Sequence, residues 1–512
     1  MKTGGHSTFK KPEIKDMIKK LTFFAAVMVF IGISMAPAET IKVSVNPAQV
    51  VCSNFMGLGV QWDPFDWYQP STEQWNLITN RMDFCRPGYL RVMWSASAFC
   101  LGFDTNGQPQ YVWAEGSAEQ KKVFERLTAI LDFAQARNIP VIYGEWAPPS
   151  QLVPDQTDPR WARVIAGGVD YLIRQRGYKC IRFYNLINEP NGSWSHNKDY
   201  PSWVESIRNL KQEFDTRGLS EEVRIIGPDT TGNTYWLEPF HWLERSAGDL
   251  PDCLGAWDLH WYASDEEVIS GNIERLLLDK RATLIATNPR ARSQPAFLAE
   301  SGLLDGKIER LDQQPRVRTF EYGVMMADYA AQVARAGWQG TLAWDMDDAM
   351  HIPNWKHALK IPDGTTFKVW GFWNSYGDKM GRPGEMQMRP WFYTWSLMSR
   401  LFSAGTRMIK TDVDSATKFR AIIGMVNVFG REQMTVMLVN NANTNRLVRL
   451  QIPSATPIQT MACYHYFEND RPVDDRGFPK PKKFLNDVDL KRGIELMMPS
   501  RGVIFLTTLP AS

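Results

Sequence analysis

Eight short apolar runs, separated by amphipathic segments of helical period, occupy the stretch from residue 57 to residue 344. They are Gly57–Gln61, Tyr89–Trp94, Val141–Trp146, Ile181–Asn188, Arg224–Pro228, Trp257–Tyr262, Ala296–Glu300 and Gly340–Trp344. Strands that alternate with helices in this way form a parallel sheet with crossover helices. Eight such units point to a (β/α)8 TIM barrel, an α/β fold, with a doubly wound open sheet as the rival topology. The helices carry start signals of their own. Ser71/Gln74, Ser117/Gln120 and Ser202/Glu205 read as capping boxes, and Asp158-Pro159 reads as an N-cap followed by proline in the first turn.

The pattern changes near residue 404. Arg420–Val426, Gln433–Val439, Arg446–Ile452, Met461–Phe467, Ile494–Met498 and Gly502–Thr507 read as strands joined by polar turns, with no helical period between them. The expected organisation is a barrel over 47–403 followed by an antiparallel β-sandwich over 404–512. The strand within 39–46, Ile41-Lys42-Val43-Ser44-Val45, is expected to join the sandwich. The connection from Asp345 to about Arg389 is long and carries Trp355, Trp370, Phe372, Trp373 and Tyr376, which suggests a functional loop. Trp370 and Trp373 are candidates for stacking on substrate there. Residues 1–38 have the layout of a secretory signal peptide. Lys15, Lys19 and Lys20 precede the apolar run Leu21–Met35, and Ala36-Pro37-Ala38 offers a small-residue cleavage site. That run is short for a transmembrane helix, so no integral membrane segment is expected after cleavage. The expected location is periplasmic or secreted.

Charge narrows the function classes. Lys and Arg number 58 against 56 Asp and Glu, and removing residues 1–38 turns the net charge from +2 to −2. A nucleic-acid partner calls for a basic excess that is missing here. The six cysteines form no C-x-x-C pair, and no Cys/His spacing suits zinc. There is no P-loop and no G-x-G-x-x-G after the first strand, so no cofactor and no metal are expected. The 20 tryptophans are more than a core of this size needs. Their flat apolar faces suit sugar rings, although packing accounts for most of them.

In a (β/α)8 barrel, chemistry sits at the C-terminal ends of the strands. The fourth strand ends in Asn188-Glu189-Pro190, the sixth in His260-Trp261-Tyr262, the seventh in Ala299-Glu300-Ser301 and the eighth in Trp344-Asp345, while Arg91 lies on the second. Cleaving a glycosidic bond takes an acid for the leaving oxygen and a second carboxylate for the anomeric carbon, about 5 Å apart when configuration is retained. Glu189 and Glu300 are placed to face each other across the ring. Glu145, Asp229, Asp345, Asp347 and Asp348 also lie at or just after strand ends and compete as ligands for substrate hydroxyls. Glu145 is the substitute catalyst if the strand register differs.

This constellation resembles clan A of the retaining glycoside hydrolases, over about Val51 to Phe402: N-E-P on strand four, H-x-Y on strand six, Glu on strand seven and Trp on strand eight. The barrel with an appended sandwich resembles families 30 and 39. Trp146-Ala147-Pro148-Pro149 after strand three is similar to family 30. The resemblance implies that Glu189 is the general acid/base and Glu300 the nucleophile. It implies that Asn188 binds the sugar 2-hydroxyl, that Tyr262 and Arg91 hold the Glu300 carboxylate, and that Trp344 floors the subsite of the reacting sugar. His260 and Trp146 are further candidates for substrate contact. The expected protein is a retaining β-glycosidase acting on an oligo- or polysaccharide. The alternatives are a catalytically inactive carbohydrate-binding barrel and a transglycosylase, which uses the same residues with a different acceptor.

Overall fold

The structure is a computed structural model that describes residues 39–510, apart from 66–68, 114, 147, 193–194, 196–198, 233–237, 352–365, 415–417 and 454–458. The expected signal segment and Trp355 lie outside the described residues.

The eight expected strands form a closed barrel in sequence order: Gly59–Gln61, Tyr89–Met93, Val141–Gly144, Ile181–Asn185, Arg224–Gly232, Ala256–Ala263, Ala296–Leu303 and Gly340–Ala343. The last pairs in parallel with the first, Leu342 opposite Gly59, which closes the ring and removes the open-sheet alternative. The short, almost wholly buried strands match the near-continuous apolar runs of a parallel sheet covered by helices.

Two of the three expected capping boxes are present, Ser71/Gln74 before Thr72–Cys85 and Ser117/Gln120 before Ala118–Ala136. Asp158 caps Pro159–Asp170 as expected. The third box is replaced. The helix is Tyr200–Thr216, and its N-cap is Asp199, whose carboxylate accepts the Ser202 N–H at 2.8 Å. Ser202 therefore lies inside the first turn, and proline at 201 fits there because its missing N–H would have had no intrahelical acceptor.

The lower end of the barrel is closed by a plug. Tyr89, Ile142, Phe183, Ile226, Ala256, Phe297 and Leu342, from seven successive strands, form a separate buried cluster. The Phe297 ring packs 5.0 Å from Tyr89 and 5.6 Å from Phe183, centroid to centroid. Such a layer fills the barrel as a core rather than leaving a pore.

Nine of the remaining strands form one sheet that includes all six expected after residue 404, while Cys100–Phe103 and Pro109–Tyr111 pair as a separate two-stranded sheet. Glu39–Phe55, longer than the expected 39–46 segment, pairs antiparallel with Thr406–Val413, Val43 opposite Val413. Thr406–Val413 and Lys483–Val488 were not legible as strands. The first buries threonines where apolar residues would mark the face, and the second is a largely exposed edge strand. Ile41, Val43, Ile423, Leu438, Val448, Cys463 and Ile504 share one core although their strands span both ends of the sheet, so the sheet folds over itself as a sandwich. Its other face, with Met437, Tyr464, Tyr466 and Phe505, merges into the main core of the barrel. Tyr466 donates its hydroxyl to the Phe320 carbonyl at 2.9 Å. Gly323 permits this approach, since a Cβ there would stand 2.2 Å from the Tyr466 oxygen. Among the described residues, no helix is long and apolar enough to cross a membrane.

Candidate active site

Alternation along the sixth strand sets the heights of three polar groups. Ala256 belongs to the plug, so Asp258, His260 and Tyr262 follow on the same inward face, each one step nearer the C-terminal end. The seventh strand needs a correction to its period. Phe297 is in the plug, and strict alternation would turn Glu300 outward. A register shift between Leu298 and Glu300 places Glu300 directly opposite His260. That irregularity re-aims the carboxylate into the barrel.

Arg91, fully buried, is the hub beneath the site. Its Nη1 donates to Gln61 at 2.7 Å and to Glu300 Oε1 at 2.6 Å, and its Nη2 donates to Asn188 Oδ1 at 2.8 Å and Asp229 Oδ2 at 2.8 Å. Tyr262 donates its hydroxyl to Glu300 Oε2 at 2.7 Å. His260 Nδ1 lies 2.9 Å from Glu189 Oε1 and 3.5 Å from Glu300 Oε2, and its Nε2 lies 3.0 Å from Asp229 Oδ1. Glu189 and Asp229 both adopt left-handed backbone conformations, with φ of 45° and 56°, and the Glu189 N–H donates to the Asp229 carbonyl at 3.1 Å. Non-glycine residues in this region carry strain of order 1–3 kcal/mol, which the surrounding hydrogen bonds offset.

The charges are strongly coupled. Burial acts against the Arg91 charge, but Asp229 and Glu300 outweigh it and raise the guanidinium above its ordinary value. Burial likewise opposes the His260 imidazolium, and Asp229 and Glu300 overcome it, so its pKa lies well above the usual histidine range. Burial raises the Glu300 carboxyl above its ordinary value, while His260 and Arg91 pull it down and Glu189 adds to the rise. Ionised Glu300 therefore depends on the two cations beside it. Burial and the Glu300 charge keep the Tyr262 phenol protonated and a donor.

Above these groups opens a cleft of about 440 Å³ lined by Trp146, Asn188, Glu189, Tyr262, Glu300, Trp344 and Trp370, with Thr231, Gly232, Leu304, Lys307, Glu309, Asp312 and Lys368 completing it. Trp146 stands at its lip, 41% exposed. The Asn188 carbonyl is held by Arg91, so its amide nitrogen is the donor left for a ligand. Trp344 stacks on His351, with centroids 5.6 Å apart, and the Lys368 ammonium sits 4.9 Å from the Trp344 ring centre. Trp370 props Trp344 and Tyr262 edge-on at 5.7 and 5.2 Å and donates its indole N–H to the Asp312 carbonyl at 3.0 Å. Thr231 and Gly232 come from the end of the fifth strand, beyond its expected limit at Pro228, and the polar residues from Lys307 to Lys368 had no signature in the sequence because they reach the cleft from the connections after strands seven and eight.

The competing acids lie elsewhere. Glu145 is fully buried and accepts the Ala96 N–H at 2.6 Å, and burial pushes its carboxyl up to about 7. Asp347 accepts the Ala349 and Ser375 N–H groups, and Asp348 accepts those of Trp370 and Gly371 and pairs with Arg389. These carboxylates tie down the backbone of the long connection. Asp345 is fully buried and does not line the cleft. Asp229 has both oxygens committed to Arg91 and His260 and is also absent from the cleft wall.

Trp373 differs from Trp370. It is 0% exposed, donates to Asp347 Oδ2 at 3.0 Å and packs on Phe392 and beneath Arg81. Trp373→Ala is expected to cost about 3–5 kcal/mol of stability with KM unchanged, as read by urea unfolding and kinetics on the same sample.

Glu189, His260 and Glu300 bring metal-ligating atoms within 4.8 Å of one another. The positive charge facing these two carboxylates is already supplied by Arg91 and the His260 imidazolium.

Comparison with known proteins now bears on this geometry. No family model and no curated protein sequence matches the chain. Solved structures do. A GH30 endoxylanase from Clostridium papyrosolvens is 10% identical with a TM-score of 0.61, covering 91% of this chain and 99% of that one. A GH51 alpha-L-arabinofuranosidase from Thermotoga petrophila is 12% identical with a TM-score of 0.59, covering 91% and 100%. A conserved exported protein from Bacteroides fragilis is 12% identical with a TM-score of 0.61, covering 91% and 100%. The chain shares the fold of these proteins, the first two of which are glycoside hydrolases. At such identities the likeness concerns architecture, a barrel with an appended β-sheet domain, and it agrees with the clan resemblance carried by the sequence motifs.

Proposed function

We propose that the protein is a retaining glycoside hydrolase in which Glu300 is the nucleophile and Glu189 the general acid/base. One observation carries this reading. The two glutamates project into one cleft walled by Trp146, Trp344 and Trp370, with carboxylate oxygens within 4.8 Å of each other. That spacing fits the roughly 5–5.5 Å of double displacement and leaves no room for the intervening water of an inverting enzyme.

In the first step a Glu300 oxygen attacks the anomeric carbon. The bond to the leaving oxygen breaks as Glu189 delivers its proton, and a covalent glycosyl-enzyme results. Arg91 and Tyr262, one on each Glu300 oxygen, orient the carboxylate for attack. In the second step Glu189 removes a proton from water, and the water oxygen displaces Glu300. In this reading Asn188 donates to the sugar hydroxyl next to the reacting carbon and Trp344 lies beneath the ring, which is supported by the Asn188 amide nitrogen and Trp344 both lining the cleft. The substrate class is a carbohydrate of the oligo- or polysaccharide type. The neighbours of the same fold named as xylanases and arabinofuranosidases support a plant-type glycan as the first material to test. The reading includes export, directed by residues 1–38, in line with the exported neighbour.

Proton NMR of the earliest product from an aryl glycoside or a xylan-type oligosaccharide tests the mechanism. The substrate's own anomer is expected to appear first. Early build-up of the opposite anomer would remove Glu300 from the nucleophile role. Absence of turnover on a broad panel, with binding intact, would favour a carbohydrate-binding barrel.

A further inference from the structure

Asp229 touches neither the cleft nor, by its position, any substrate. Yet it is one bond chain away from each glutamate of the pair. Its Oδ2 accepts from Arg91, which donates in turn to Glu300, through contacts of 2.8 and 2.6 Å. Its Oδ1 meets His260 Nε2 at 3.0 Å, and the other imidazole nitrogen reaches Glu189 at 2.9 Å. Its backbone carbonyl accepts the Glu189 N–H. Its own N–H donates to Asp258 Oδ1 at 2.7 Å, which pins the residue in its left-handed conformation.

We infer that Asp229 is the positioning residue of the catalytic pair, a single buried carboxylate that orients Glu300 through Arg91 and Glu189 through His260. This rests on the glycosidase reading above and extends it to a residue outside the cleft. The physical argument is one of charge. Six titratable or charged groups surround the His260 ring: Asp229 from the fifth strand, Glu189 after the fourth, Glu300 from the seventh, Arg91 from the second, and Asp258 and Tyr262 on its own strand. Burial holds Asp258 protonated, and Asp229 adds to that effect. Asp229 itself, held well below the usual carboxylate range by Arg91 and His260 against the effect of burial, is the permanent anion beneath them. It keeps the imidazole cationic, and that cation lowers the Glu300 pKa. A nucleophile must be ionised, so its activity is lost as pH falls through its pKa. Removing the Asp229 charge lets His260 deprotonate, which raises the Glu300 pKa and moves the acidic limb to higher pH.

The test uses Asp229→Asn, His260→Gln and the double variant, assayed on an aryl glycoside that the wild type turns over. For Asp229→Asn, kcat is expected to fall about 100-fold with KM little changed. The acidic limb of kcat/KM is expected to rise by about one pH unit. The double variant is expected to lose clearly less than the two single losses combined, because the two substitutions share the His260 arm. Fully additive losses, an unmoved acidic limb, or a raised KM with unchanged kcat would each overturn the proposal while leaving the glycosidase reading intact. A second measurement needs no change at Asp229. The chain has seven histidines, so the His260 ring nitrogens are assignable by ¹⁵N NMR against the His260→Gln spectrum. An imidazolium at pH 7 is expected, and a neutral ring there would refute the role given to Asp229. If the wild type turns over no glycoside at all, it is the underlying functional reading that has failed.

Discussion

Glu300→Gln is expected to lower kcat by about four orders of magnitude or more on every glycoside the protein cleaves, a loss of about 5 kcal/mol in transition-state stabilisation. The substitution keeps the shape of the side chain; its single oxygen can accept from Arg91 and its NH2 can donate to the Tyr262 hydroxyl, so folding is preserved. It removes the electron pair that attacks the anomeric carbon. No leaving group compensates, because the missing bond is the one to carbon and not the one to the departing oxygen. The decisive measurement is single-turnover kinetics with an aryl glycoside of low leaving-group pKa. A burst of phenol from the variant would show that another residue forms the intermediate. Glu145 is poorly placed for that, since it is buried behind the cleft with its carboxylate on the Ala96 N–H.

Glu189→Ala is expected to divide substrates into two groups. A natural sugar leaving group needs the proton and should become a very poor substrate. An aryl leaving group departs unprotonated, so the first step survives and the glycosyl-enzyme accumulates for want of a base to activate water. Azide needs no base, and the truncated side chain leaves room for it beside His260, which touches Glu189 in the intact protein. Turnover is then expected to recover with azide, yielding a glycosyl azide of retained configuration. General acid–base assistance contributes about 10²–10⁴-fold, which sets the expected loss on unactivated substrates. If azide rescued the Glu300 variant instead, with inversion, the two roles would have to be exchanged.

Much of this arrangement is legible in the sequence. Parallel strands buried on both sides announce themselves as short apolar runs, and all eight were found with ends within a few residues of their true limits. The polar residues that close those runs, Asn188-Glu189, His260-x-Tyr262, Glu300 and Trp344, reach the site because strand ends converge. The remainder depends on geometry that pattern alone does not carry. Glu300 faces inward only because of the register shift after Leu298, and a period-two count from Phe297 points it the wrong way. Asp229 takes a left-handed conformation within the fifth strand, which an alternating pattern does not reveal, and its two partners come from strands two and six. Asp258 did carry a signal, the alternating Asp-x-His-x-Tyr of strand six, which would have placed it below His260. Trp370 and Trp373 look equivalent in a loop rich in aromatics, yet one walls the cleft and the other lies in the core, because Asp347 and Asp348 fold the connection back on itself. The acids after strand eight seemed available to substrate for the same reason. The work of Asp347 and Asp348 is to satisfy backbone N–H groups that burial of the loop would otherwise leave unpaired.

The seven-residue plug beneath the site gives the barrel a floor, and a vessel with a floor has one-way traffic problems. On the proposed glycosidase reading, no glycan strand can be threaded through it, so a long substrate lies across the rim, with one residue dipped toward Glu300. The departing sugar, the water that follows it and any alcohol competing with that water all pass the same doorway. Whether the glycosyl group ends on water or on another sugar is then a contest of residence times at that doorway: a leaving group slow to clear the rim shuts water out and favours its own recapture.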